Sequence, residues 1–222
     1  MTDSIQLIGF SRNDLLEYLL SQLHTFFPVS SRGNRSLISY YLDESLERLR
    51  VCINSVRWWK SNCFDPLHSS QYCIFLYYLS NTIWRDCGDK LRIPTKLFSL
   101  NKAFNAIDLF YEIAMPDKFF IGHSAGIVLA KATYSDYLVL YQGCTVGKNH
   151  GVAPFLEERV LLYPGSKIIG GCHVRPGSII GAGVNVINQD TLGESLVFQG
   201  NSGSLQFKPI PRNGLNDIFY LE

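Results

Sequence analysis

The sequence predicts an α+β protein of two parts: an α-helical domain over residues 1–107 and a coil of short parallel strands over residues 108–222. Three observations carry this reading. Leucines recur at helical spacing through the first half. From about residue 119 the spacing changes to six. Glycine then falls in a fixed slot of the six-residue unit, which neither an α-helix of period 3.6 nor a flat strand of period 2 produces.

Taken in order, Leu15, Leu16, Leu19, Leu20 and Leu23 form one face of a helix, with Ser11 or Asn13 as its cap. "DESLERLRVCINSV" (43–56) repeats the pattern behind Asp43 as cap, with Leu46, Leu49, Ile53 and Val56 on one side. Asp65-Pro66 reads as a cap followed by proline at the first helical position, leading a Tyr- and Leu-rich segment to about Trp84. "RDCGDKLRIP" is a connector. Pro94 opens a shorter helix with Leu97, Leu100, Phe104 and Ile107 on one side.

In the second half Leu162, Ile168, Val174, Ile180 and Val186 fall every six residues. Three positions after each of the first four comes a glycine (Gly165, Gly171, Gly177, Gly183). Four positions after comes a compact residue (Ser166, Cys172, Ser178, Val184). A coil with three short strands per turn accounts for all three slots: the aliphatic residue plugs the interior, the compact residue sits near the corner and glycine takes the turn. Leu140, Val146 and Cys144 carry the same register upstream. "GKNHGVAPFLEER" (147–159) interrupts it, as a loop extruded on one face does.

The bulk properties exclude several classes. A net charge of +1 gives no field toward nucleic acid or an acidic membrane surface. The run "YCIFLYYL" (72–79) is too short to span a bilayer. "MTDSIQLIGFSRNDLLEY" is too polar for a signal peptide. None of the six cysteines pair as C-x-x-C, which argues against a zinc or redox motif and for a reducing cytoplasm.

"FFIGHSAGIVL", "LVLYQGCTVG", the extruded loop and "LLYPGSKIIGGCHVRPGSIIGAG" together resemble the hexapeptide-repeat acyltransferases, closest in look to the serine O-acetyltransferases. The resemblance covers about residues 60–200. It implies a left-handed β-helix after the helical domain, a homotrimer able to pair into a dimer of trimers, acetyl-CoA as co-substrate and no metal. It makes His123 the general base and Asp108, fifteen residues earlier, the carboxylate that pairs with it. The chemistry suits those residue types: an imidazole takes the hydroxyl proton as the hydroxyl attacks a thioester, and a carboxylate on the other ring nitrogen fixes the tautomer. The resemblance also places the cofactor groove along Gly147, Lys148, Tyr163, Pro164, Ala182 and Gly183, with Lys208 toward the phosphates. Tyr163-Pro164 stands where the family has a Gly-Ala type step, and a proline has no N–H to offer there.

The acceptor site departs from the family. Serine enzymes hold the ammonium with two carboxylates; Gly122 stands at one position and Asp65 matches the other. They hold the carboxylate with an Arg-His pair, whereas here Val152-Ala153 precedes Pro154 and no arginine occurs in the loop before Arg159. A buried charge without a partner is costly. The expected acceptor is therefore a hydroxyl of a sugar or surface polysaccharide, contacted by Asp65, His150 and Gly122. The alternative is serine, as in cysteine biosynthesis, with Lys148 and His150 replacing the cationic clamp. His68, near Asp65, is a further candidate for the acceptor pocket, and His24 is a helical surface residue. A zinc site of His123, His150 and His173, known in other hexapeptide proteins, is disfavoured because their spacing does not place two on one coil face and no acidic partners accompany them. His173 is expected to face solvent.

Overall fold

The computed structural model describes residues 4–28, 34–201, 203–210 and 215–221. Its first part comprises β1 (Gln6–Leu7), α1 (Arg12–Phe26), α2 (Asn34–Ser55), β2 (Cys63–Phe64), α3 (Ser69–Cys87), a 3₁₀ turn (Lys90–Arg92) and α4 (Ile93–Asn105). Ser11 caps α1 in a reciprocal box: the Asp14 N–H donates to Ser11 Oγ at 3.1 Å and the Ser11 N–H to Asp14 Oδ2 at 2.9 Å. α3 is the central helix. Every residue from Ser70 to Ile83 is buried, which an all-round apolar helix requires. Its buried polar groups bind neighbouring backbone: Tyr77 Oη donates to the Ile113 carbonyl (2.6 Å), Asn81 Nδ2 to that of Tyr111 (2.7 Å) and Ser80 Oγ to that of Pro94 (2.9 Å).

The second part is a left-handed parallel β-helix of three sheets. The first contains β4 (Phe119–Ile121), β7 (Leu138–Leu140), β10 (Leu161–Leu162), β13 (Ile179–Ile180) and β15 (Ser195–Gln199), ending on antiparallel β16 (Leu205–Pro209). The second contains β3 (Asp108–Leu109), β5 (Val128–Leu129), β8 (Thr145–Gly147), β11 (Lys167–Ile169) and β14 (Asn185–Ile187). The third contains β6 (Thr133–Tyr134), β9 (Phe155–Leu156) and β12 (His173–Val174). The period-six residues stack in register as the interior: Ile121, Leu140, Leu162, Ile180 and Val197 in one column, and Leu109, Leu129, Val146, Ile168 and Val186 in another. One corner is a column of glycines, Gly126, Gly143, Gly165 and Gly183, each near φ +70°. Each of the first three would bring an added Cβ to 3.5–3.9 Å from the next glycine's backbone, an ordinary contact, so the cost of a side chain there is the left-handed backbone it must adopt.

Several local expectations are corrected. Asp43 does not cap a helix, because α2 already begins at Asn34. Asp65 caps no helix either: its Oδ1 accepts the Leu67 N–H at 2.9 Å in a local turn, and His68 becomes the cap of α3. Phe104, expected inward, is 48% exposed, whereas Leu97, Leu100 and Ile107 are buried. Gly170 rather than Gly171 takes the positive φ in its repeat. The interruption is shorter than 147–159. Val146 and Leu156 are consecutive interior residues ten apart instead of six, so four extra residues form a tight turn in which Asn149 and Val152 pair. The region 1–107 also holds a parallel β1–β2 pair, and the chain end returns to it. The Arg57 N–H donates to the Ile218 carbonyl (2.8 Å), the Tyr220 N–H to the Ser55 carbonyl (2.9 Å), and Phe219 is fully buried against Tyr137. No helix among the described residues is long and apolar enough to cross a membrane.

Candidate functional site

At the glycine corner the chain runs from Leu140 to Gly143, and from Leu162 to Gly165, in three residues. In the first coil it takes five, from Ile121 to Gly126, so two extra residues bulge outward. His123 lies on this bulge. Its ring is exposed and has no hydrogen-bond partner among the described residues. The bulge borders an open cleft of about 290 Å³ between the coil and the helical part, lined by Trp58, Trp59, His68, Ser70, Phe120, Gly122, His123 and Tyr141.

The cleft walls are fixed from both parts of the molecule. Phe120 packs edge-on to Trp58 and tilted against Trp59, with ring centroids 5.3 Å apart in each pair. Trp59 meets the His68 ring edge-on at 5.9 Å. His68 Nδ1 accepts the Gln71 N–H at 3.4 Å, which leaves the ring proton on Nε2. Ser70 Oγ donates to the Gly122 carbonyl at 3.3 Å. Tyr141 stacks on Tyr163 of the next coil at 5.8 Å with planes 8° apart, and burial beside Tyr163 raises its phenol above the ordinary value.

The structure therefore brings His123, Gly122 and His68 together and adds four aromatic residues that sequence patterns did not single out: Trp58, Trp59, Phe120 and Tyr141. Asp108 lies elsewhere in its contacts: Lys102 Nζ donates to its Oδ2 at 2.6 Å, and its N–H donates to the Ile127 carbonyl. Asp65 is not among the residues lining the cleft. His150, at φ +47°, sits exposed in the tight turn of the extruded loop and is likewise outside it. Of the groove candidates, Gly147 ends β8, and its missing side chain makes room for Ile169. Lys148 and Ala182 are exposed; Tyr163 is 40% exposed, and its N–H is spent on the Ile180 carbonyl. Pro164, which has no N–H, accepts the Gly183 N–H on its carbonyl. Lys208 Nζ lies 4.7 Å from the centre of the Phe198 ring. His173, expected in solvent, pairs with Glu157 and stacks on Phe155 at 5.0 Å. No group of three or more His, Cys, Asp or Glu side chains suited to a metal occurs among the described residues.

Comparison with known proteins adds an independent line. No family model matches. Serine acetyltransferase of Synechococcus elongatus is 29% identical over 103 residues, covering 43% of this chain and 41% of that protein. Serine acetyltransferase of Bacillus subtilis is 25% identical over 130 residues, covering 54% and 57%. The chain thus spans about half the length of these relatives. Among solved structures, serine acetyltransferase from Vibrio cholerae superimposes with a TM-score of 0.70 at 18% identity, covering 92% of this chain and 82% of that one. Soybean serine acetyltransferase complexed with serine gives 0.69 at 17% identity, covering 90% and 85%. The structures share the fold. The hexapeptide-repeat acyltransferase family read from the sequence, near the serine O-acetyltransferases, is the one these likenesses fit.

Proposed function

We propose that this chain is an acetyl-CoA-dependent O-acetyltransferase acting on L-serine, with His123 as general base. The observation that carries it is the position of His123: an exposed imidazole on a two-residue bulge, at the mouth of a cleft, on a fold shared with serine acetyltransferases. His123 takes the proton of the serine hydroxyl as its oxygen attacks the thioester carbonyl. The new C–O bond replaces the C–S bond, and the proton passes to the departing thiolate. Asp108, released from Lys102, is the proposed orienting carboxylate. The exposed outward residues of the coil, Val128 (44%), Phe155 (41%) and Ile187 (54%), support a homotrimer; the cytoplasm as its place, and acetyl-CoA in the groove between neighbouring coils along Gly147, Lys148, Tyr163, Pro164, Ala182, Gly183 and Lys208, belong to the same proposal.

The sugar acceptor expected from the sequence gives way to its alternative. The relatives reported above are serine acetyltransferases, and none points to polysaccharide biosynthesis. One observation keeps a neutral acceptor as the second reading: no carboxylate and no arginine is among the described residues lining the cleft. CoA release from acetyl-CoA, measured with L-serine and with nucleotide sugars in parallel, separates the two. Turnover on L-serine supports the proposal, and turnover on the sugars alone overturns its acceptor.

A further inference from the structure

L-serine carries an ammonium, and no carboxylate is among the described residues lining the cleft beside His123. What the cleft offers is aromatic surface and a glycine whose missing side chain has been filled. A Cβ built on Gly122 would lie 2.5 Å from Cε1 and 2.6 Å from Cδ1 of the Tyr141 ring. Such distances are closer than carbon atoms approach, and the ring is braced from behind by its stack on Tyr163. The ring of Tyr141 thus occupies the space that any side chain at residue 122 would take. It stays a neutral phenol because burial disfavours the phenolate and raises its pKa. Trp58, 56% exposed, presents a second ring to the same cleft.

Resting on the L-serine reading above, we propose that Tyr141 is the specificity-determining residue of the acceptor site: its ring face, together with Trp58, receives the acceptor's ammonium by cation–π attraction, and Gly122 is glycine to admit that ring. A cation within about 6 Å of an aromatic face in a partly desolvated site gains enough attraction to change affinity by about three- to thirtyfold. Tyr141 makes no bond to a reacting atom, so its effect falls on acceptor binding and leaves the chemical step to His123.

The test compares L-serine with L-glycerate, in which a hydroxyl replaces the ammonium, in the full-length wild type and in Tyr141→Phe and Tyr141→Leu. Binding is followed by the fluorescence of Trp58 and Trp59, and turnover by CoA release. Wild type and Tyr141→Phe are expected to prefer L-serine by about tenfold in Kd and KM. Tyr141→Leu is expected to lose most of that preference in Kd and KM. An equal loss for both acceptors in Tyr141→Leu makes the ring a packing element only and overturns the proposal. So does an undiminished preference. If the wild type binds neither acceptor, the L-serine reading falls together with the proposal. If it binds and turns over L-serine but the Leu variant discriminates as well as wild type, the proposal alone falls. A steric control is independent of acceptor: Gly122→Ala is expected to lower the melting temperature, and Gly122→Ala combined with Tyr141→Ala to recover most of the drop attributable to the clash. Additive effects of the two substitutions would contradict the shared space.

Discussion

Replacing Phe219 by alanine probes how the chain end holds the site together. Phe219 is fully buried, and its ring meets Tyr137 edge-on at 5.4 Å. Its carbonyl accepts the Arg57 Nε at 2.8 Å, and the Val56 and Phe219 backbones pair as an antiparallel bridge. The segment held this way, 56–57, leads directly into Trp58 and Trp59 of the cleft. Truncating a buried phenylalanine costs about 3–5 kcal/mol, from lost transfer energy and the cavity left behind. For a chain of this size each kcal/mol corresponds to about 2–4 °C, so the melting temperature is expected to fall by roughly 6–20 °C. Thermal unfolding by circular dichroism reads this directly. With the tail loosened, the two tryptophans lose their anchor, so KM for L-serine is expected to rise more than kcat falls. A melting temperature within about 1 °C of wild type would refute the reasoning, because a dispensable tail cannot be buttressing the cleft.

Further expectations follow from the same geometry. His123→Ala is expected to keep its fold and lose about 10²- to 10⁴-fold in kcat, whereas Asp108→Asn loses less; a folded His123→Ala variant with wild-type turnover contradicts the assignment. The Cys52 and Cys73 thiols are pushed up to about 12 by burial, from an ordinary 9.0. Their neutral form is the native one, so the stability they contribute is complete below about pH 9 and is lost as pH rises from there toward 12. Thiol titration at pH 8 should find both unreactive until denaturant is added, and rapid native reaction at either would contradict their burial. Light scattering at micromolar concentration should find a trimer; a monomer with full turnover would contradict the shared cofactor groove.

The coil was legible because its rule is local: Leu162, Ile168, Val174, Ile180 and Val186 repeat at six, and all five prove fully buried. The Ser11 cap and the Pro94 start were legible for the same reason. The start of α2 was missed because apolar Tyr40, 77% exposed, lies off the buried stripe of Ile38, Tyr41 and Leu42, so the apolar residues of "NRSLISYYL" show no single face in the sequence and Asp43, a better cap residue, drew the boundary. The site was half legible. His123 stands out by its small neighbours, but Tyr141 reaches Gly122 only because the next coil stacks on the first, nineteen positions along the chain. Trp58 and Trp59 come from the helical part, and no periodicity links them to the coil. Asp65 and His150 were expected by matching loop positions; neither is among the described residues that line the cleft.

The central claim is that His123 activates a serine hydroxyl toward acetyl-CoA, and the most direct measurement is CoA release by wild type and by folded His123→Ala, at saturating acetyl-CoA, with and without L-serine. The account predicts release that depends on L-serine in the wild type and is at least about 10²-fold slower in the variant. Equal rates in the two proteins, or a wild-type rate indifferent to L-serine, would contradict it.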